Sequence, residues 1–85
     1  MTEQEFSIAR KSRVPIILGA LKNRSMTVNE LIDYLLANYY GDIDEEFNLI
    51  LTTLELLTLA DRIRIDRVVA VPDKNLMAEV YIMAR

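Results

Sequence analysis

Histidine, cysteine and tryptophan are absent from this 85-residue chain. Without cysteine there is neither a disulfide nor a thiolate metal site. Without histidine or cysteine the commonest general bases and activated nucleophiles are missing as well. The serines, Ser7, Ser12 and Ser25, lie outside any nucleophile motif. Glycine occurs only at Gly19 and Gly41, too sparsely for a phosphate-cradling loop. No apolar run approaches the roughly 20 residues of a membrane span. The start, Met1-Thr2-Glu3-Gln4-Glu5, is acidic and polar and has no signal-peptide core. Asp42, Asp44 and Glu46 alternate as in a calcium loop, but the remaining ligands and the glycine of that loop are missing. Glu45-Glu46 and Asp42/Asp44 can be drawn as paired carboxylates, yet helix capping accounts for them more simply. The expectation is a cytoplasmic, non-enzymatic protein with no catalytic residue, cofactor or metal.

A second absence is local. Residues 25–61 contain no Lys, Arg or His, while they hold eight acids: Glu30, Asp33, Asp42, Asp44, Glu45, Glu46, Glu55 and Asp61. All ten basic residues fall outside this block, and the net charge is −3. A general nucleic-acid binder shows a basic footprint instead. The apolar fraction is 52%, and a chain this short has little interior in which to hide it. Some of that surface is expected to meet a partner protein or a second copy, with a homodimer among the outcomes.

Periodicity divides the chain into an arm and one domain. Residues 1–12 are weakly patterned and read as an N-terminal arm or a frayed first turn. Residues 13–85 read as a single domain. Val14, Ile17, Leu18 and Leu21 predict a first helix over 13–22, with Pro15 near its start, where its missing N–H has no intrahelical partner. Gly19 weakens that helix by roughly 1 kcal/mol relative to Ala, or serves a close helix approach. Met26-Thr27-Val28-Asn29-Glu30-Leu31 is a capping box with a hydrophobic staple. It opens a second helix with the stripe Val28, Leu31, Ile32, Leu35, Leu36 and Tyr39, which Gly41 ends. Asp42 or Asp44 caps a third helix over 44–60, whose expected core stripe is Phe47, Ile50, Leu51, Leu54 and Leu57. After Asp61 the period changes to that of a strand. Residues 62–71 and 76–84 form a hairpin around a Pro72-Asp73-Lys74-Asn75 turn. Setting Val71 opposite Leu76 places Arg67 opposite Val80, on an apolar face, so a bulge near Asp66-Arg67 is expected. The fold class is α+β, winged helix-turn-helix-like, with three helices followed by a C-terminal β-hairpin.

In such a fold the third helix would enter the major groove of DNA. Here it carries Glu45, Glu46 and Glu55 and no cation, and only Asn48 is suited to reading a base. By helical angle, Leu49, Thr52, Thr53, Leu56 and Ala60 form a second, uncharged face. Either the N-terminal arm folds back over Leu49 and Leu56, or this face is a protein interface. The interface is the expectation. The residual nucleic-acid feature is basic: Arg10, Lys11 and Arg13 on the arm, and Arg62, Arg64 and Lys74 on the wing, are candidate phosphate contacts. Such contacts position a duplex without reading it. Exposed strand charges serve equally well to block edge-to-edge aggregation.

Thr27-Val28-x-x-Leu31, followed by Phe47-x-x-x-Leu51-x-x-Leu54-x-x-Leu57-x-x-Ala60-x-x-Ile63, resembles the small winged-helix middle components of prokaryotic ABC-three-component systems. In these antiviral defence systems a small adaptor accompanies an SMC- or Rad50-like ATPase. The resemblance covers residues 27–66, about half the chain. It implies a protein–protein adaptor of a DNA-acting ATPase or defence complex, touching DNA weakly or through its partner. Two other readings stand beside it. One is a DNA-binding regulator using the arm and wing, and the other is a small acidic viral inhibitor of a host nucleic-acid-binding protein.

Overall fold

A computed structural model describes residues 2–39, 43–71 and 75–84, with residues 43–45 described by their backbone alone. Three helices, α1 (Glu3–Asn23), α2 (Val28–Asn38) and α3 (Ile43–Leu59), are followed by the strands β2 (Ile63–Val71) and β3 (Leu76–Met83). A two-residue strand, β1 (Met26–Thr27), completes an antiparallel sheet of order β1-β3-β2. The chain is therefore α+β, as its periodicity implied.

The first correction concerns the arm. Residues 3–12 are helical and continuous with 13–23, giving one helix of 21 residues. The Thr2 hydroxyl oxygen caps it by accepting the Glu5 N–H at 3.1 Å, and Thr2 donates to the Glu5 carboxylate at 3.1 Å. Thr2-x-x-Glu5 has the capping-box spacing, the sequence signal that this helix starts ten residues before 13. Pro15 is thus inside the helix, not near its start, and occupies the exposed side. It has no N–H to give the Lys11 carbonyl. Gly19 is also exposed, and a Cβ built there meets nothing within 4 Å. No close helix approach accounts for it.

The capping box at the start of α2 forms as expected. The Thr27 hydroxyl oxygen accepts the Glu30 N–H at 3.2 Å, and Glu30 Oε1 accepts the Thr27 N–H at 3.1 Å. Glu30 also pairs with Arg24. The Thr27 hydrogen bond first, and the Arg24 charge after it, hold the Glu30 carboxyl below its ordinary value against the opposing effect of burial. α2 buries Leu31, Ile32 and Leu35, but Tyr39 stands exposed at its end. The expected stop at Gly41 and the Asp42 cap lie outside the described residues. Asp44 lies within α3 and is not its cap.

Ile17, Leu31, Leu35, Ile50, Leu54 and Ile63 are fully buried where the three helices meet the base of the sheet. Each contributes roughly 1.5–3 kcal/mol through burial. α3 ends with Asp61 in the left-handed conformation, φ 57°. The Arg62 N–H reaches the Leu57 carbonyl at 2.9 Å and the Asp61 N–H reaches that of Thr58 at 3.1 Å. This is a Schellman closure with Asp where Gly is usual. It turns the chain abruptly from helix into β2 and leaves Arg62 beside the end of α3.

In the hairpin, Val71 pairs with Leu76, Val69 with Ala78 and Arg67 with Val80, and a bulge lies between Ile65 and Arg67. The Val71–Leu76 and Arg67–Val80 pairs and the bulge match the expectation. The bulge shifts the rest of β2 by one residue, so Ile65 pairs with Tyr81 and not with Ile82. One ribbon face thereby carries Ile63, Ile65, Val68, Met77, Glu79 and Tyr81, while Arg64 and Arg67 share the other. The tip, including Pro72, Asp73 and Lys74, lies outside the described residues.

Candidate protein-docking site

α3 is rotated relative to the expectation. Glu46, Leu49, Ile50, Thr53, Leu54 and Leu57 are buried, whereas Leu51 is half-buried and Phe47 is 47% exposed. The cause is α1. Its N-terminal half lies across α3, and Arg13 and Glu46 form a buried ion pair between the two helices, with Arg13 Nε donating to Glu46 Oε2 at 3.2 Å. A second packing partner on that side turns Leu49 and Thr53 inward and releases Phe47.

The residues expected to form the interface are divided by this rotation. Leu49 and Thr53 are fully buried within the chain, and the Thr53 hydroxyl donates to the Leu49 carbonyl at 2.6 Å. They belong to the α1–α3 packing, the alternative in which the N-terminal segment covers this face. Thr52 is half-buried, Leu56 is 48% exposed and Ala60 is exposed. The candidate phosphate contacts are divided as well. Arg13 is inside the ion pair and does not face solvent. Arg64 lies near Leu21, Lys22 and Ile82, away from α3. Lys74 is outside the described residues.

Leu56 and Ala60 of the first set and Arg10, Lys11 and Arg62 of the second converge on one groove. Arg10, Lys11 and Val14 of α1 face Leu56 and Ala60 of α3, and Arg62 closes the end. Its volume is about 300 Å³, at the lower bound of the roughly 300–1,000 Å³ of small-molecule sites. The floor is apolar and the rim is basic. Arg10 lies over the Phe6 ring, 5.1 Å from its centre.

A second groove flanks α3 on its other side, against the ribbon. Phe47 and Leu51 face Met77 and Tyr81, and the groove continues past Leu59 and Ile65. Its charged residues are Glu55 and Glu79, and no Lys or Arg among the described residues lines it. The Tyr81 hydroxyl donates to Glu79 Oε2 at 3.1 Å. Burial, then the Glu79 hydrogen bond and the fields of Glu79 and Glu55, push the Tyr81 phenol up to about 12. It is a neutral donor at physiological pH.

Between the grooves runs the outward ridge of α3, with Asn48, Thr52, Glu55 and Leu59. Leu59 is 81% exposed. Of the nine large apolar side chains exposed among the described residues, Phe47, Leu56, Leu59, Ile65, Val68 and Met77 lie on the ridge, its flanks or the adjoining ribbon face. Sequence reasoning placed Phe47 in the core and so missed it, and it also missed Leu59, Ile65 and Met77. For Phe47 and Leu59 the signal was the spacing Phe47, Leu51, Glu55, Leu59 at four-residue steps. Among the described residues, no three of His, Cys, Asp and Glu come together as metal ligands, and no helix is long and apolar enough to cross a membrane. Comparison with protein-family models, curated proteins and solved structures finds no match to this chain.

Proposed function

We propose that this chain is a non-enzymatic adaptor of winged-helix shape that works by protein contact through the exposed side of α3 and the adjoining ribbon face. One observation carries the reading. The position that a winged helix would present to a DNA groove is here a cation-free ridge of Asn48, Thr52, Glu55 and the exposed Leu59, flanked by the exposed apolar residues Phe47 and Leu56. A phosphate backbone with one negative charge per about 1.7 Å of duplex finds no cation on such a surface. A protein partner gains by covering its apolar residues. The basic residues are split: Arg13 is sequestered, Arg64 and Arg67 share the other ribbon face, and Arg10, Lys11 and Arg62 rim the small groove between α1 and α3, off the ridge. Nucleic-acid imitation by the acids is also weakened, because Glu30 and Glu46 are engaged inside the chain. An adaptor role accords with the resemblance of residues 27–66 to the small subunits that accompany SMC- or Rad50-like ATPases in defence complexes.

The test is Leu59→Asp in the full chain, beside Asp33→Lys on the exposed side of α2 as control. Both variants are expected to keep wild-type circular dichroism. Leu59→Asp is expected to lose either the stoichiometric partner that co-purifies from the native cell or the self-association seen by mass in solution, while Asp33→Lys retains it. Unchanged association in Leu59→Asp, or salt-sensitive binding to duplex DNA that Arg62→Glu abolishes, would overturn the proposal.

A further inference from the structure

The two grooves beside α3 carry opposite charge. The α1 side has Arg10, Lys11 and Arg62 around an apolar floor. The ribbon side has Glu55 and Glu79 among apolar walls. The ridge between them is uncharged apart from Glu55 at its edge. A face with an acidic half, a cation-free centre that holds the exposed Leu56 and Leu59, and a basic half is complementary to itself about a two-fold axis through the centre. Rotation by half a turn sets the acidic half of one copy over the basic half of the other, twice. We infer that the occupant of this face is a second copy of the chain, in an isologous dimer that packs α3 against α3. Glu55 and Glu79 of each copy then face Arg62, Lys11 and Arg10 of the other. This inference rests on the docking reading above and names its partner.

The available surface is sufficient. A stable interface takes roughly 800 Å² from each copy, about one seventh of the 5777 Å² this chain exposes. α3, at 17 residues, is about 25 Å long. With walls about 10 Å from its axis on either side, the strip from groove to groove covers roughly 500 Å² in flat projection, and the exposed ribbon residues Ile65 and Met77 beside it extend it toward that requirement. Its centre holds Leu56 and Leu59, where a dimer interface is most apolar, and its charges lie at the rim, where they set orientation and exclude wrong partners.

Sedimentation equilibrium of the full chain and of two charge reversals tests this. Wild type is expected to dimerise. Glu55→Lys opposes Lys to Arg62 at both ends of the axis, and Arg62→Glu opposes Glu to Glu55, so each variant alone is expected to dimerise at least about tenfold more weakly. Mixed in equal amounts, they are expected to recover a heterodimer of wild-type affinity, because both contacts are then restored with reversed sign. Recovery also shows that each variant is folded. A wild-type chain that stays monomeric would overturn the inference, and so would a dimer that neither reversal weakens or a mixture no tighter than its components. The docking reading fails separately. A monomeric chain that loses a stoichiometric foreign partner on Leu59→Asp retains that reading and loses only the second copy.

Discussion

Removing Glu46 should cost this small domain about 3 kcal/mol. Glu46 and Arg13 are 3% and 8% exposed, and the guanidinium presents both Nε and Nη2 to the carboxylate between α1 and α3. Glu46→Ala leaves the Arg13 charge in place with its main counter-charge gone. Breaking a buried pair in this way typically costs about 3–5 kcal/mol. The lower end applies because Arg13 keeps the Ala9 carbonyl at 3.3 Å and the Ser12 hydroxyl at 2.9 Å as acceptors of Nη1. In a domain of this size each kcal/mol moves Tm by about 4–8 °C, so the expected fall is about 12–24 °C. Urea unfolding followed by far-UV circular dichroism measures the loss directly. It should be run at one fixed protein concentration, because dimerisation would add its own stabilisation. The double variant Arg13→Met with Glu46→Leu removes both charges and fills similar volume, and it is expected to recover most of the loss. A loss under about 1 kcal/mol in Glu46→Ala would mean that water already solvates the pair. A double variant as unstable as the single one would mean that packing, and not the stranded charge, sets the cost.

Two further outcomes test the fold. Ile50→Ala, at a fully buried position, should cost about 2–5 kcal/mol, and Phe47→Ala, at a half-exposed one, less than half as much. The reverse ranking in urea melts would return α3 to the orientation its hydropathy suggested. Gly19→Ala should stabilise by about 0.5–1 kcal/mol, since helix propensity improves and the new methyl meets nothing. A loss of stability on thermal melting would reveal a close approach at that position.

Much of the local structure was legible because it is decided by neighbours along the chain. Thr27 and Glu30 close a capping box through atoms three residues apart, and no tertiary contact is needed for that. The bulge between Ile65 and Arg67 was legible because strand alternation makes a misplaced Arg visible at once. The N-terminal half of α1 was not legible by hydropathy. Its inner side carries Arg10 and Arg13, so a period count finds polar residues where a core face should be. Thr2 and Glu5 were the better guide. Missing that half of α1 left one side of α3 unaccounted for, and the error in the rotation of α3 followed from it.

The absence of cations across residues 25–61 is a property of composition, and any folded form of this chain must carry it. It deprives α3 of the cations that a DNA-reading helix offers to phosphates, wherever the helix points. What composition leaves open is which side of a helix with apolar residues around much of its circumference faces outward. Phe47, Ile50, Leu51, Leu54, Leu56 and Leu57 are interchangeable by hydrophobicity, so burial is decided by what packs beside them. The Arg13–Glu46 pair and the α1 crossing turn Leu49 and Thr53 inward and Phe47 and Leu59 outward. The left-handed turn at Asp61 then brings Arg62 to one flank of α3, while the hairpin brings Glu79 to the other. Residues far apart in the chain thereby become the two charged sides of one apolar surface, and only tertiary packing brings them together.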